Sequence, residues 1–474
     1  ASPIVITGLN NGTRYTFTVR AINKAGSSDP SAASNAVVPF SLSSDEDDEP
    51  PEPESSTEDS VTILVNGKEE KAGTATTAAR NGQTVMTIAI DPAKLDKKLA
   101  EEGRNAVVTI PVPSGADVAS VELNGQMVKN MEDQMAILEI KTDRATYTLP
   151  AQQINIKAIS EQLGAAVALQ DIKIQVEIGT PAADMAKLVE NAAEKGTFAI
   201  VVPPVEFTVR ATYGETAIEV SKFDVYVERT IAIPEGADPN KITTGVVIEA
   251  DGTVRHVPTK IIVIDGRSYA DINSLTNSTY TVVWNPREFT DLAAHWAKDI
   301  VNNMGSRMII EGTGDGRFSP DRDITRAEFA AIIVRALGLG LEKGPSVFPD
   351  VKESDWFNSA IRTAYAYGLL GGFDDGTFRP NDKITREQAM VIISKAMAVT
   401  GLKDKLPGRS ADATLRKYAD AAQASGWAIS SIADCVQAGI VSGRNGNQLA
   451  PQDTITRAEV AAMVQRLLQQ SDLI

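Results

Sequence analysis

The sequence decides its fold most clearly in three short and nearly identical stretches: ITRAE at Ile324–Glu328, ITREQ at Ile384–Gln388 and ITRAE at Ile455–Glu459. In each stretch a threonine stands three residues before a glutamate or glutamine. This is the spacing of a capping box, in which the hydroxyl accepts from the third helical amide and the third side chain returns to the cap amide. An apolar pattern of helical period follows each stretch. The sequence therefore predicts three helices that begin at the arginines.

The stretches belong to a longer unit that occurs three times. Each copy opens with an aromatic residue, any residue and an aspartate, continues with a tryptophan, and reaches a Gly-rich loop that ends in proline. The tryptophan precedes the arginine of the later stretch by 30 residues in every copy. A further helix is predicted near each tryptophan, so the unit is helix, loop, helix. One such unit cannot bury its apolar face alone, and we expect the three to pack together. The repeated positions are Asp291, Asp350 and Asp420, then Trp296, Trp356 and Trp427, then Arg326, Arg386 and Arg457.

The three arginines run against local preference. Each stands at the first helical position, where a cation opposes the helix dipole by roughly 0.3–1 kcal/mol. Two interpretations stay open. The guanidinium pairs with a nearby acid, such as the aspartate of the opening motif, or it joins the amides of the helix start in a receptor for a carboxylate or phosphate.

The composition excludes several classes of function. With 46 basic and 62 acidic side chains the net charge is −16, which argues against nucleic acid and anionic membrane as partners. A single cysteine, Cys435, excludes an internal disulfide and a thiolate zinc cluster. Two histidines, His256 and His295, leave little room for a histidine metal site or a Ser-His-Asp triad. We expect no catalytic residue, no metal and no cofactor in this chain.

The region before the repeats divides into three parts. Residues 1–40 alternate polar and apolar residues as a half-buried strand does. Residues 41–60 hold nine acidic and no basic side chains and predict a disordered linker. Residues 61–287 are rich in Val, Ile and Thr and predict a β-rich, sandwich-like domain, with hairpin turns at Asp251–Gly252 and Asp265–Gly266. Short helices are predicted in its connections, near Pro92–Gly103 and Ala182–Lys195.

Two families resemble parts of this sequence. The stretch ITGLNNGTRYTFTVRAINKAGSSDPS resembles the second half of a fibronectin type III domain, which implies a spacer. The three repeats, about 288–340, 347–402 and 417–474, resemble S-layer homology motifs in their aromatic-x-Asp openings, tryptophans, Thr-Arg motifs and the loop GGFDDGTFRP at Gly371–Pro380. That resemblance implies an all-α pseudo-threefold bundle. Residues 61–287 loosely resemble the β-rich regions beside cell-wall anchors of Gram-positive surface proteins.

The S-layer homology resemblance also implies a function. Its members hold secreted surface proteins non-covalently on Gram-positive cell walls by binding a secondary cell-wall polysaccharide, commonly with a pyruvate ketal on N-acetylmannosamine. By this analogy Arg326, Arg386 and Arg457 recognise the carboxylate. Asp291, Asp350 and Asp420 accept sugar hydroxyls or orient the arginines. Trp296, Trp356 and Trp427 stack on sugar faces or serve as core or interface anchors, and Gly371 and Gly372 let a sugar approach the backbone.

Two other classes of function are an enzyme and a calcium-binding module. The chain contains no G-x-S-x-G, H-E-x-x-H or G-x-x-x-x-G-K-[ST] motif, so an enzyme is expected only upstream, with this chain as its anchor and spacer. A calcium loop at Asp315-Gly316 or Asp375-Gly376 would need a carboxylate at its first and twelfth positions, and neither loop supplies both.

The sequence thus predicts an extracellular, wall-associated chain with all-β N-terminal parts and a helical C-terminal trio. It leaves open which groove binds the polymer and whether the chain self-associates into a lattice.

Overall fold

The computed structural model describes residues 59–113, 115–164 and 167–474, together with scattered residues between 15 and 31. The chain divides into two compact units, Ala1–Thr57 and Glu58–Ile474. In the first, two short antiparallel strands are described, β1 (Ile22–Asn23) and β2 (Gly26–Ser27). The fibronectin-like stretch lies mostly outside the described residues, as does most of the acidic linker, so both assignments stay predictions.

The region from residue 59 to residue 284 is β-rich, as predicted. Its first two residues, which the linker prediction included, already belong to a strand. The strands are β3 Asp59–Val65, β4 Lys68–Arg80, β5 Gln83–Ile90, β6 Val107–Pro111, β7 Val118–Asn124, β8 Ile137–Lys141, β9 Ala145–Pro150, β10 Lys173–Gly179, β11 Ala199–Tyr213, β12 Thr216–Glu219, β13 Lys222–Ala232, β14 Thr244–Ile248, β15 Val254–Val257, β16 Thr259–Ile264, β17 Arg267–Thr276 and β18 Thr279–Trp284.

These strands form one 16-stranded sheet, and not the pair of sheets that a sandwich has. The order is β15-β14-β18-β11-β10-β7-β5-β4-β3-β6-β8-β9-β13-β17-β16, with β12 paired to β11. The pairs β5/β7 and β6/β8 are parallel and the others antiparallel. The sheet nearly closes, because its end strands β15 and β16 are consecutive in the chain and only Pro258 separates them. Proline has no N–H with which to continue a ladder.

The predicted hairpin turns are confirmed. Asp265 and Gly266 join β16 to β17 with φ angles of 50° and 80°. Both residues therefore occupy the left-handed region that a two-residue type I′ hairpin requires. Asp251 and Gly252 lie in the turn between β14 and β15.

Four helices lie in the connections of the sheet. The two predicted ones are present as α1 (Pro92–Glu102) and α4 (Ala183–Gly196). Two others were not predicted, α2 (Gly125–Asp133) and α3 (Ile156–Leu163). The first of these begins at an asparagine cap, since the Asn124 side chain accepts from the Met127 amide at 2.9 Å. The Asn-Gly pair that signals a hairpin in sequence here starts a helix.

The core of the sheet contains a buried cation. Arg229 is fully buried, and its guanidinium carbon lies 4.9 Å from the ring centres of both Tyr147 and Tyr280. Its Nη2 donates to the Thr276 carbonyl (2.8 Å) and to Asn277 Oδ1 (3.0 Å). Among the described residues no carboxylate forms an ion pair with it. Ring faces and neutral oxygens alone compensate this charge.

The C-terminal region is helical, and the three predicted capped helices begin at the predicted arginines. Each repeat contributes a shorter helix and a longer capped one, and a further short helix precedes the third repeat. The helices are α5 Lys298–Ser306, α6 Arg326–Ala336, α7 Asn358–Ala366, α8 Arg386–Val399, α9 Ala411–Leu415, α10 Ile429–Gln437 and α11 Arg457–Gln470. All three capping boxes form: in the first, the Glu328 amide donates to Thr325 Oγ1 and the Thr325 amide to Glu328 Oε2.

The three repeats close into a ring through their isoleucines. The amide of Ile324 donates to the carbonyl of Ile455 (3.1 Å), that of Ile455 to Ile384 (3.2 Å), and that of Ile384 back to Ile324 (3.2 Å). All three side chains are fully buried. Every repeat therefore contacts both others through the backbone of these residues. Their buried side chains fit an apolar residue such as isoleucine at the position before the capping threonine.

The helical region packs directly on the sheet. The hydroxyl of Tyr226 donates to the Leu337 carbonyl at 2.8 Å, Arg255 donates to the Gly338 carbonyl, and Arg307 donates to the Thr259 carbonyl at 3.0 Å. Gly338 has a φ of +62°, and a Cβ there would lie 2.9 Å from Cδ of Pro258. No helix of the described part of the chain has the length and apolarity needed to cross a membrane.

Candidate functional site

The aspartates of the opening motifs hold the Gly-rich loops. Asp350 accepts from the amides of Phe378 (2.8 Å) and Arg379 (2.7 Å). Asp291 and Asp420 bind the corresponding loops through the same pair of contacts. Both oxygens of each carboxylate are thereby engaged with backbone. Among the described residues no ion pair joins these aspartates to the helix-start arginines, so the interpretation in which each arginine pairs with a nearby acid does not hold with the aspartates as partners.

The arginines instead reach across to the next repeat. Nε of Arg326 donates to the Phe378 carbonyl, Nε of Arg386 to the Leu449 carbonyl and Nε of Arg457 to the Phe318 carbonyl, each at 2.9 Å. The accepting carbonyls belong to the loops that the aspartates hold. We call these three places the Arg326, Arg386 and Arg457 boundaries, after the arginine that each contains.

Two of the boundaries add an ion pair. Nη1 of Arg386 lies 2.9 Å from Glu459 Oε1, and Nη1 of Arg457 lies 3.2 Å from Glu328 Oε1. These glutamates are the third-position residues of the capping boxes. Sequence analysis found them as caps and missed their second partner, because that partner comes from another repeat.

The two glutamates stay ionised. Burial alone would raise the pKa of Glu459, but hydrogen bonds from Arg444 and from the Thr456 amide outweigh it and hold the pKa below its usual range. The pKa of Glu328 is lowered against burial in the same way, by Arg322 and the Thr325 amide. Arg386 and Arg457, which are 5% and 4% exposed, therefore each face an ionised carboxylate.

A surface pocket of about 220 Å³ lies at the Arg386 boundary. It is lined by Trp296 of the first repeat, Arg386 of the second, and the loop Ser442–Arg444, Glu459, Met463 and Arg466 of the third. All three repeats thus contribute to one groove, which combines a tryptophan, guanidinium groups and a Gly-containing loop.

The three tryptophans are exposed. The exposed fraction is 60% for Trp296, 64% for Trp356 and 60% for Trp427. Their placement in the core is therefore wrong, whereas a role as interface anchors stays a prediction. Trp296 also lines the pocket, and an exposed indole ring beside a groove is suited to stacking on the apolar face of a sugar.

The two candidate glycines differ. A Cβ at Gly371 would meet open space, so this backbone is accessible. A Cβ at Gly372 would lie 2.7 Å from the Phe348 ring and 2.8 Å from the Thr377 carbonyl. Gly372 is thus needed for the loop to pack on the opening aromatic residue, and not to admit a ligand.

The remaining candidates are structural. Cys435 is fully buried and donates to the Met390 carbonyl, and burial raises the pKa of its thiol. His295 lies 3.2 Å from Asp321 at the surface. In the described part of the chain no group of three or more His, Cys, Asp or Glu side chains could hold a metal ion.

Comparison with known proteins matches the S-layer homology domain at residues 288–330, 347–390 and 417–461. Among similar proteins, the amylopullulanase of Thermoanaerobacterium thermosulfurigenes is 34% identical over 52% of this chain and 13% of its own length. The exoglucanase XynX of Acetivibrio thermocellus is 34% identical over 50% of this chain and 20% of its own length. A cellulosome-anchoring protein of the same species is 32% identical over 35% of this chain and 36% of its own length.

The chain spans 13% and 20% of the length of the first two relatives. The match to the amylopullulanase covers 246 residues, more than residues 288–474 contain, so it extends into the β-rich region. The repeats that the sequence singled out are thus three S-layer homology domains, and the chain is an extracellular surface protein associated with the cell wall.

Proposed function

We propose that residues 288–474 anchor the chain non-covalently to a Gram-positive cell wall by binding a secondary cell-wall polysaccharide. The sugar recognised carries a carboxylate, as a pyruvate ketal on N-acetylmannosamine does. The observation that carries this proposal is the groove at the Arg386 boundary, where a helix-start guanidinium, an exposed tryptophan and a Gly-containing loop come from three different repeats. A guanidinium fork fits a carboxylate, and the indole fits a sugar face.

The ring of isoleucine contacts supports a pseudo-threefold bundle with three related boundaries. Related boundaries suit a repetitive polymer, because one chain of sugars can reach more than one of them and avidity then exceeds single-site affinity. In this arrangement the arginines contact the carboxylate and the tryptophans the sugar faces. The aspartates contribute by holding the loops and not by accepting sugar hydroxyls.

The β-rich region serves as a spacer. It packs on the first repeat through Tyr226, Arg255 and Arg307, so it continues rigidly from the anchor. Whatever the fibronectin-like stretch and acidic linker connect to is thereby held at a distance from the wall.

Co-sedimentation of the full 474-residue chain with purified Gram-positive wall sacculi tests this function. The sacculi are used before and after removal of the secondary polymer. We expect binding that disappears with the polymer. Binding that survives its removal would make peptidoglycan the ligand, and no binding to walls that carry pyruvylated polymer would refute the proposal.

A second candidate is that the chain is the anchor and spacer part of a larger carbohydrate-active enzyme. The observation that favours it is the similarity to an amylopullulanase and an exoglucanase, which extends past the S-layer homology domains in both. Sequencing the gene upstream of Ala1 tests it, since a glycosidase domain must then precede the fibronectin-like stretch.

A further inference from the structure

The two end strands of the sheet differ in how far the helical region covers them. Gly338 lies against the backbone of β15, where a Cβ on this glycine would lie 3.0 Å from the His256 carbonyl oxygen. The helical region also reaches the beginning of β16, since Arg307 donates to the Thr259 carbonyl at 3.0 Å. Within the described part of the chain, it makes no hydrogen bond to the β16 backbone beyond that residue.

The uncovered part of β16 is the apolar stretch Ile261–Ile264, with the sequence IIVI. The exposed fraction is 41% for Ile261, 69% for Val263 and 46% for Ile264. Soluble proteins usually protect an edge strand with charged side chains, a proline or a bulge. None of these interrupts the four residues, and all four are β-branched residues that favour strands. An edge of this kind is suited to pairing with another strand.

The register of β16 against β17 decides which backbone groups of β16 face outwards. The Asn273 amide of β17 donates to the Pro258 carbonyl at 2.9 Å, so every second residue from Pro258 onwards directs its backbone groups at β17. The residues between them, Thr259, Ile261 and Val263, direct theirs away from the sheet. Among the described residues, no hydrogen bond reaches the amides and carbonyls of Ile261 and Val263. The edge therefore offers two free donors and two free acceptors.

We propose that β16 pairs with β16 of a second copy of this chain, antiparallel and about a twofold axis. In such a pair the outward residues of one copy must face the outward residues of the other. Placing Ile261 opposite Val263 of the second copy satisfies all the free groups with four hydrogen bonds, and Ile262 then faces its own counterpart on the axis. Other registers bring in Thr259, whose carbonyl is already bound, or Asp265, which lies in the turn after the strand.

The side chains are complementary in this register. Ile261 packs beside Val263 of the second copy on one face of the new pair, and the two Ile262 side chains meet on the other, as cross-strand pairs of β-branched residues do. Lys260 comes opposite Ile264 of the second copy, next to the turn that carries the exposed Asp265. Each end thus brings a cation near a carboxylate, which offsets part of the repulsion between two chains of net charge −16.

The pairing stops at two copies. The other edge of β16 is occupied by β17, and a twofold contact uses the same surface on both partners. One strand pair is smaller than a standard interface of roughly 1,600 Å², so the dimer is weak and dissociates on dilution.

Sedimentation equilibrium of the full 474-residue chain, at concentrations up to about 0.5 mM, tests the dimer. Val263→Lys puts a charge into the centre of the pair, and we expect the dissociation constant to rise by about 10-fold or more. The matched control is Val225→Lys, which makes the same change at a 48% exposed valine of β13 and should leave the dimer unchanged. A chain that stays monomeric throughout, or a Val263→Lys variant that dimerises equally well, would overturn the proposal.

A cross-linking experiment tests the register. The two Ile262 residues form a non-hydrogen-bonded pair with Cα atoms about 4.5 Å apart, which a disulfide can span. Ile262→Cys should therefore give a covalent dimer on oxidation, seen on a non-reducing gel, whereas the native Cys435 is fully buried. The matched control is Ile264→Cys on the same face, which lies about 13 Å from its counterpart and should not cross-link. Equal cross-linking of the two variants, or none with Ile262→Cys, would refute the twofold pairing.

Discussion

The β-rich region and the helical region both bury arginines, but they compensate the charge in opposite ways. Arg229 lies among aromatic rings and donates its hydrogen bonds only to neutral oxygens. Arg386 and Arg457 are almost as buried and each faces a carboxylate. In the sheet the cation thus fills a space among the aromatic rings of the core. In the helical region the cations link one repeat to another through ion pairs, and we call these links joints. The residue of α8 that corresponds to Glu328 and Glu459 is the neutral Gln388, and within the described residues Arg326 forms no ion pair.

The largest expected effect is on the sheet side of this comparison. Arg229→Ala would leave a cavity among the rings and remove the donors to Thr276 and Asn277, so we expect a loss of about 3–5 kcal/mol in the free energy of unfolding. Urea unfolding followed by circular dichroism measures it. Arg210→Ala, at an exposed position of β11, is the control and should change stability by less than about 0.5 kcal/mol. A small effect of Arg229→Ala would mean that the ring cage is stable without its cation.

The next effect compares the joints with one another. Arg386→Ala and Arg457→Ala each remove an ion pair and a carbonyl contact from a buried place, and we expect losses of about 2–3 kcal/mol. Arg326→Ala breaks no ion pair and should cost about 1 kcal/mol. Thermal unfolding of the three variants measures this order. Equal losses at all three would contradict the view that the Arg326 boundary lacks an ionic joint.

The local parts of the helical region could be predicted from sequence. The starts of α6, α8 and α11 depend on residues three positions apart, so ITRAE and ITREQ suffice to locate them. The positions of the arginines followed from the same motifs. Their partners could not be predicted, because Glu328 and Arg457 are 129 positions apart in sequence and meet only when the ring closes. The difference between Gln388 and the two glutamates was visible in sequence, but only as a change of cap.

In the β-rich region, too, the local features could be predicted from sequence and the long-range pairing could not. Its strands and the Asp265–Gly266 hairpin could be predicted from the sequence, since alternation and turn residues are local signals. The order of the sheet was not, because β3 pairs with β6 and β10 with β7 across long connections that no local pattern specifies. The helix α2 was missed for a related reason: Asn124–Gly125 favours a hairpin, and the tertiary structure uses the asparagine as a helix cap.

A smaller effect tests the caps that all three joints share. Thr456→Ala removes the hydroxyl that accepts from the Glu459 amide at 3.3 Å, and we expect a loss of about 1 kcal/mol. Thr456→Ser keeps that acceptor and should recover most of the loss. Chemical unfolding of the pair measures it. If serine failed to recover stability, the threonine methyl group and not the cap would be the stabilising part.

The smallest expected effect lies at the seam between the two regions. Lys260 Nζ is 2.8 Å from Asp472 of the C-terminal end and 3.8 Å from Asp271 of β17. Burial, followed by repulsion from Glu228, raises the pKa of Asp271 to about 6, although Lys260 opposes this. The folded state therefore holds its proton more tightly than the unfolded state, whose pKa is 3.8. Asp271 favours folding below about pH 4, and this contribution is lost as the pH rises through about 6.

Asp271→Asn should remove this dependence. We expect the variant to match the unsubstituted chain at pH 4 and to exceed its stability at pH 7 by about 1 kcal/mol or less, because Lys260 and solvent screen the charge. Unfolding midpoints at both pH values measure the difference, with Asp472→Asn as the control for the exposed partner of the same lysine. A gain that is equal at both pH values would show that packing and not ionisation is responsible.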